Sequence, residues 1–241
     1  VTTPNRFDVL AASWDDDPVK VARAAEAANA LRARIPVVRS GWKALELGAG
    51  TGLLSRALAP DLGPITLVDT SEGMTAQAAS KVAAATPHDV TAWCGDLRDP
   101  GAPIGPYELA YSMLALHHID DVAGTLRAVH DALQPGGWVC MIDLDEDPGG
   151  DFHRAAVPDG HAHHGHTDHD ADHGHRGHHA AHHETVEHAH DGFSVDALSA
   201  HLAAAGFVDV TVTDAGFTID RGEPPRRFGV VCGVGRRASA G

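Results

Sequence analysis

The sequence predicts an α/β fold: a doubly wound sheet of seven mostly parallel strands, helices on both faces, and the last two strands antiparallel. Three observations predict it. The run Ala44-Leu45-Glu46-Leu47-Gly48-Ala49-Gly50-Thr51-Gly52-Leu53-Leu54 is a short apolar strand, three alternate glycines and the apolar start of a helix. That is the strand–turn–helix of nucleotide-binding sheets. Short apolar runs then alternate with helical patterns as far as Ile142, which means stacked βαβ units and a parallel sheet buried on both faces. Two further strands follow with no helix between them, and such a pair runs antiparallel.

Each element has its local reason. Phe7–Trp14 is a partly apolar lead-in, and Asp15-Asp16-Asp17-Pro18 starts a helix with acids at the cap and proline in the first turn. Val19, Ala22, Ala25 and Ala28–Leu31 keep helical spacing to about Arg34. The first strand enters the glycine turn from about Lys43. The helix Gly52–Leu58 is broken by Gly63-Pro64, and Ile65-Thr66-Leu67-Val68 is a second buried strand ending at Asp69. Ser71 caps a helix over Glu72–Ala85 that stops before Pro87. Val90–Trp93 is a third strand, ending at Gly95-Asp96, and Tyr107–Met113 a fourth. The helix Asp121–Leu133 is stopped by Gln134-Pro135-Gly136-Gly137, and Trp138–Ile142 is the fifth strand. Ser194 caps a helix to Ala205, closed by Gly206; Val208–Thr213 and Phe228–Val234 are the final strands, joined through Asp220–Pro225.

Composition narrows the function classes. The formal charge of −15 disfavours nucleic acid and anionic membranes as partners reached through bulk electrostatics. Between Asp143 and Asp191 twelve acids face two bases, Arg154 and Arg176, so −10 of that charge is local to one stretch. Aromatic residues are only 5% of the chain, so its core is aliphatic and alanine-rich. Cys94, Cys140 and Cys232 show no Cys-x-x-Cys spacing, and two lie in apolar runs. Buried reduced thiols and a cytoplasmic location are expected. Neither a secretion signal nor a run long enough to span a membrane is read.

The glycine spacing carries chemical information. In the dinucleotide fingerprint the third glycine falls three positions after the second; here Gly52 falls two after Gly50, and Glu46 precedes Gly48 by two. Asp69, 21 residues after Gly48, ends the second strand. A carboxylate there either accepts from both hydroxyls of a ribose or caps a turn. Ser71 and Met74 follow and line the same pocket or serve only the helix. Asp96, beside Leu97, either accepts from an exocyclic amine of a purine or closes a Gly-Asp turn. Trp93 reads as core.

Together these residues resemble the class I S-adenosylmethionine-dependent methyltransferases. Glu46-Leu47-Gly48-Ala49-Gly50-Thr51-Gly52 is similar to the family's first motif, and Asp69, Gly95-Asp96-Leu97, Ser112–Ile119 and Leu133–Gly137 are similar to its later ones, in order. The likeness covers most of 7–145 and 194–235. It implies a Rossmann-like sheet ordered 3-2-1-4-5-7-6 with strand 7 antiparallel. It also implies a lid or helix segment over 1–40, a methyltransferase domain over 41–145 and 192–241, and a His/Asp-rich insertion at 146–191. The implied cofactor seat is Trp14, Glu46, Gly48, Ala49, Gly50, Gly52, Asp69, Thr70, Ser71, Met74, Gly95, Asp96, Leu97 and Met113. The resemblance also implies that Glu46 partners the cofactor's amino group, directly or through another side chain. Phe7…Trp14-Asp15-Asp16 and Asp143-Leu144-Asp145…Phe152-His153 resemble a small bacterial subgroup, in which the first stretch lies over the cofactor.

Methyl transfer from a sulfonium needs positioning and water exclusion before anything else. A base is required only where the acceptor must lose a proton. His117 and His118, at the carboxyl end of the fourth strand, are base candidates or structural residues; Asp143 and Asp145 are acceptor-site candidates.

From His161 to His190 the sequence carries thirteen of its nineteen histidines. They recur as His161/His163, His164/His166, His173/His175 and His188/His190, and as adjacent His178/His179 and His182/His183. Such tracts suit Zn²⁺, Ni²⁺ or Cu²⁺, and a tract this poor in apolar residues is expected to be mobile without metal. The alternative is a solvated acidic loop. The expected function is therefore methyl transfer from S-adenosylmethionine to a small-molecule acceptor. A metal-binding or metal-sensing protein on that scaffold is the second reading, and a dehydrogenase, disfavoured by the glycine offset, the third.

Overall fold

The computed structural model describes residues 6–35, 41–154 and 189–239. A 7-stranded sheet runs in the order β3-β2-β1-β4-β5-β7-β6, as the resemblance implied. Its strands are β1 (Ala44–Leu47), β2 (Ile65–Asp69), β3 (Val90–Cys94), β4 (Tyr107–Met113), β5 (Leu133–Leu144), β6 (Val208–Arg221) and β7 (Arg226–Arg236). The first five pair in parallel, and β7 lies antiparallel to both β5 and β6. Because β1 pairs in parallel with β2 on one side and with β4 on the other, the order in which successive strands are added reverses there. The crevice beyond the carboxyl ends of β1 and β4 is the natural ligand position in such a sheet.

The helices are α1 (Arg6–Leu10), α2 (Pro18–Arg34), α3 (Leu53–Leu58), α4 (Glu72–Ala83), α5 (Val122–Ala132), α6 (Asp151–Arg154) and α7 (Val195–Ala204). Predicted caps are present: Asp17 accepts from the Val19 amide, Ser71 from Met74 and Ser194 from Ala197. One apolar cluster joins α2, α3 and α4 to one face of the sheet through Ala27, Leu31, Leu54, Ala78 and Leu109. The other joins α5 and α7 to the opposite face through Leu45, Leu126, Met141, Leu198 and Val231.

Two strands run well beyond their apolar patterns. β5 begins at Leu133, where an irregular register carries the Pro135-Gly136-Gly137 segment beside Tyr107. β6 continues through two register shifts to Arg221, so only a short turn separates it from β7. Bulges of this kind reset the inward-outward alternation that the sequence reading followed. Phe217 and Ile219 therefore point inward beyond the predicted end of the strand. Cys140 and Cys232 are free and buried, with their sulfurs 3.6 Å apart across β5 and β7, whereas Cys94 is exposed. No helix among the described residues is long and apolar enough to cross a membrane.

Candidate active site

The glycine turn is built by backbone geometry. Gly48, Gly50 and Gly52 have φ of +62°, +53° and +77°, the left-handed region that side chains disfavour. A Cβ on Gly48 would lie 2.3 Å from Ala115 Cβ, and one on Gly52 would lie 2.4 Å from Val82 Cγ2. A Cβ on Gly50 would meet nothing within 4 Å. The outer two glycines thus serve packing, while the middle one faces open space where a ligand can approach backbone. The Ala49 amide is tied to the Val68 carbonyl at 3.0 Å, which fixes the turn to the end of β2.

Asp69 ends β2 beside this turn. Its Oδ2 accepts from the Gly50 amide at 2.7 Å and its Oδ1 from the Ser71 amide at 2.9 Å. Burial pushes its carboxyl above the ordinary value, although those amides pull the other way. Each oxygen keeps a second lone pair, so the carboxylate can also accept from a diol. Thr70 is exposed next to it, and Met74 is buried in the first turn of α4.

Glu46 sits behind the turn and away from the mouth. It is 2% exposed, and the Ser55 hydroxyl donates to it from α3. Tyr111 on β4 completes the group, its hydroxyl 2.6 Å from Ser55 Oγ. Burial raises the Glu46 carboxyl to about 8. It therefore supports the turn from beneath as a neutral acid at pH 7. Ser55 and Tyr111 are not singled out by the sequence reading; a hydroxyl at each of two core-facing positions was the available signal.

Asp96 is engaged by Arg98, whose Nε and terminal nitrogen lie at 2.9 and 2.6 Å from its two oxygens. Arg98 also reaches Asp121 at 2.6 Å. Gly95 has φ of +155° and sits against the Trp93 ring, and Leu97 is buried behind.

The amino-terminal segment covers this crevice. Asp8 in α1 accepts from Ser71 Oγ at 2.5 Å and from the Gly73 amide at 2.9 Å. A Cβ on Gly73 would come within 2.8 Å of the Asp8 backbone, so the approach needs glycine. Asp15 accepts from the Thr51 hydroxyl in the glycine turn and pairs with Arg56 at 3.1 Å and Lys81 at 3.0 Å. Burial works against its charge, but the Thr51 hydrogen bond and the two cations outweigh it and hold its carboxyl below the ordinary value. Trp14 lies between the Phe7 ring at 6.0 Å and the Lys20 ammonium at 4.0 Å. Asp8 and Thr51 escaped the sequence reading because their partners are distant in the chain.

At the end of β4 the backbone turns sharply, with Leu114 at φ +54°. His117 follows, 2% exposed, its Nδ1 2.6 Å from Asp143 Oδ1. The Leu116 and Leu144 amides donate to the same carboxylate at 2.8 and 2.7 Å. An ionised carboxylate only accepts, which puts the ring hydrogen on Nδ1. The rings of His118 and His153 lie 4.1 and 5.2 Å from His117, and Phe7 packs edge-on to His118 at 5.4 Å. Met113 is half-buried just before this group. Asp145, by contrast, is exposed, and its carboxylate accepts from the next amide, Glu146. The structure brings His117, His118 and Asp143 together, with Phe7 of the amino-terminal segment against His118, and leaves Asp145 exposed.

Eleven of the twelve metal ligands expected from the sequence lie outside the described residues. They are His161, His163, His164, His166, His173, His175, His178, His179, His182, His183 and His188. His190 is described, and it is engaged with protein: its Nε2 is 3.0 Å from the Ile119 carbonyl, and its amide donates to the His117 carbonyl. No cluster of three or more His, Cys, Asp or Glu among the described residues is arranged to hold a metal ion.

Comparison with known proteins gives the family and the fold. Residues 44–137 match the family model of the methyltransferase domain. The biotin biosynthesis bifunctional protein BioCD of Bordetella avium is 33% identical over 154 residues, covering 62% of this chain and 32% of that protein. The ubiquinone biosynthesis O-methyltransferase of the same organism is 26% identical over 156 residues, covering 60% and 61%. This chain thus spans between about a third and three-fifths of those relatives. Among solved structures, the Haloferax volcanii protein in complex with the Trm112 methyltransferase activator superposes with a TM-score of 0.65 at 20% identity, covering 98% of this chain and 100% of that one. The DhpI–SAH complex gives 0.62 at 20% identity, covering 97% and 94%. At such identities the structural likeness establishes the fold.

Proposed function

We propose that this chain, which carries a methyltransferase domain of the class I S-adenosylmethionine-dependent family, transfers a methyl group from S-adenosylmethionine to a small-molecule acceptor. One observation supports the reading above the rest. The middle glycine of the turn opens onto free space beside Asp69, at the switch point of the sheet and under an amino-terminal lid. A diol-accepting carboxylate beside bare backbone suits a ribose joined to an amino-acid moiety.

In this reading Gly48–Gly52 carry the amino-acid end of the cofactor, Asp69 accepts from the ribose, and Leu97 and Met74 pack against the base. Glu46 acts from behind, through Ser55. Asp96 receives the exocyclic amine in competition with Arg98. The bound sulfonium supplies an already activated methyl group. The chain's own work is then alignment and exclusion of water by Phe7 and Trp14. Of the two neighbouring imidazoles, His117 is sealed and fixed by Asp143, so the base role falls to His118. His117 positions it. Asp145, on the rim, is an acceptor contact at most.

Metal binding between His161 and His188, by Zn²⁺, Ni²⁺ or Cu²⁺, rests on composition alone, and so does a cytoplasmic location on cysteine usage. Calorimetric titration with S-adenosylmethionine tests the main reading. Binding with Kd below ~1 mM is expected, the range of working substrate affinities. Its absence, or retention of NAD instead, contradicts the reading.

A further inference from the structure

We infer that Cys140 and Cys232 form an oxidation site, a dithiol that a peroxide converts into a disulfide between β5 and β7. The inference is independent of the methyl-transfer reading and concerns two side chains to which that reading gives no role.

The pair is assembled by strand register. β5 and β7 run antiparallel, with Ile142 opposite Cys232 and Val234 opposite Cys140. Residues two apart on a strand share a face, so Cys140 and Cys232 are diagonal neighbours on the same one. Both belong to the apolar cluster that α2 covers, and their sulfurs stand 3.6 Å apart. Both thiols are free and fully buried. A buried thiol by itself behaves as an inert small hydrophobe. A second thiol in contact with it supplies the partner for a covalent bond.

The contact makes the two sulfurs unequal. A hydrogen bond from the Cys140 thiol, with the charge of Arg34 behind it, holds the Cys232 thiol below its ordinary value against the effect of burial. The same contact, together with burial, pushes Cys140 up. Cys232 is thus the nucleophile and Cys140 the resolving thiol. The Cys232 thiolate attacks one oxygen of hydrogen peroxide; the O–O bond breaks, and the hydroxide released takes the Cys140 proton. The Cys140 sulfur then attacks the sulfenic sulfur of Cys232 and displaces a second hydroxide, which takes up the proton that Cys232 first released. Two thiols are oxidised to one disulfide, and peroxide is reduced to two waters.

Access comes through α2. Its buried residues are Ala24, Ala27, Ala28, Ala30 and Leu31, and alanines bury little apolar area. A local opening over the cysteines therefore costs less than one beneath larger side chains. The place of the pair in β5 gives its oxidation a consequence. A disulfide holds its sulfurs about 2.0 Å apart, so closing it draws β5 and β7 together. Asp143, which holds His117, lies three residues beyond Cys140 in β5.

Hydrogen peroxide treatment of the full chain carrying Cys94→Ser tests the site, because Cys140 and Cys232 are then its only thiols. Peptide mapping without reductant should find them joined in a chain that keeps its circular dichroism, and dithiothreitol should restore both thiols. With Cys140→Ser added, Cys232 should be trapped by dimedone as the sulfenic acid when the chain is unfolded. With Cys232→Ser added instead, oxidation of Cys140 should be at least tenfold slower. The resonance of the His117 Nδ1 proton should shift on oxidation and return on reduction. Two thiols that remain alkylatable after peroxide, while the urea-unfolded chain reacts, overturn the site. Oxidation of Cys232 to the sulfinic acid with Cys140 unchanged does so as well. An unmoved His117 resonance in the disulfide form overturns the link to Asp143.

Discussion

His117 Nδ1 lies 2.6 Å from Asp143 Oδ1, with both side chains shut away from solvent at the end of β4 and β5. The same carboxylate receives two backbone amides, so it knots the turn after β4 to the end of β5. Asp143→Asn turns one acceptor oxygen into a donor facing donors. Denaturant unfolding should show a loss of about 2–4 kcal/mol, the scale of a broken buried polar pair. His118→Gln, outside that knot, should cost about 1 kcal/mol or less. Equal losses from the two would contradict a structural knot confined to His117 and Asp143.

The three glycines of the turn should separate by role. Gly50→Ala meets no atom within 4 Å and should cost only the left-handed backbone penalty of about 1–2 kcal/mol. S-adenosylmethionine affinity should nevertheless fall at least tenfold, because the new methyl occupies the approach to the backbone. Gly52→Ala adds a collision with Val82 and should destabilise by about 3 kcal/mol or more. Thermal unfolding and calorimetry on the two variants measure this contrast.

Glu46 predicts a pH dependence. Its carboxyl stands at about 8 in the folded chain against an ordinary 4.5. Between those values the folded state keeps a proton that the unfolded state has released. Stability from this group is therefore full below about pH 4.5 and declines as pH rises through about 8. Glu46→Gln should flatten that decline. At pH 8.5 its Tm should exceed that of the unsubstituted protein by about 2 °C or more. Identical pH profiles would contradict a neutral Glu46.

The amino-terminal segment, proposed as a lid, should respond to Asp15 in the opposite sense. Its carboxyl is held below the ordinary value by Thr51, Arg56 and Lys81. The clamp is thus complete above the ordinary aspartate value and is lost as pH falls through the lowered one. Asp15→Asn should loosen the lid at neutral pH, weakening S-adenosylmethionine binding about three- to tenfold with little change in Tm. Unchanged affinity would show that the lid does not close the cofactor seat.

Most of the architecture was legible because each signal was local. The strand that turns on Gly48–Gly52, the caps Asp17, Ser71 and Ser194, and the two-strand ending all depend on neighbours in sequence. The bulged extensions of β5 and β6 were not legible, since they are set by pairing with Tyr107 and β7. The site followed the same division. The placement of Asp69 beside the glycine turn followed from spacing, whereas the Tyr111 contact with Ser55 and the Asp8 and Asp15 clasps join residues far apart in the chain; the Arg98 hold on Asp96 is local, between side chains two residues apart.

In the proposed function, the turn beside Asp69 seats a sulfonium nucleoside. Its most direct test is a crystal structure of the chain with S-adenosylhomocysteine. Ribose hydroxyls are expected within hydrogen-bond distance of the Asp69 carboxylate, the amino-acid moiety along Gly48–Gly52, and His118 on the acceptor side of the sulfur. A ligand bound elsewhere, with the Asp69 carboxylate making no contact to it, would overturn that seat.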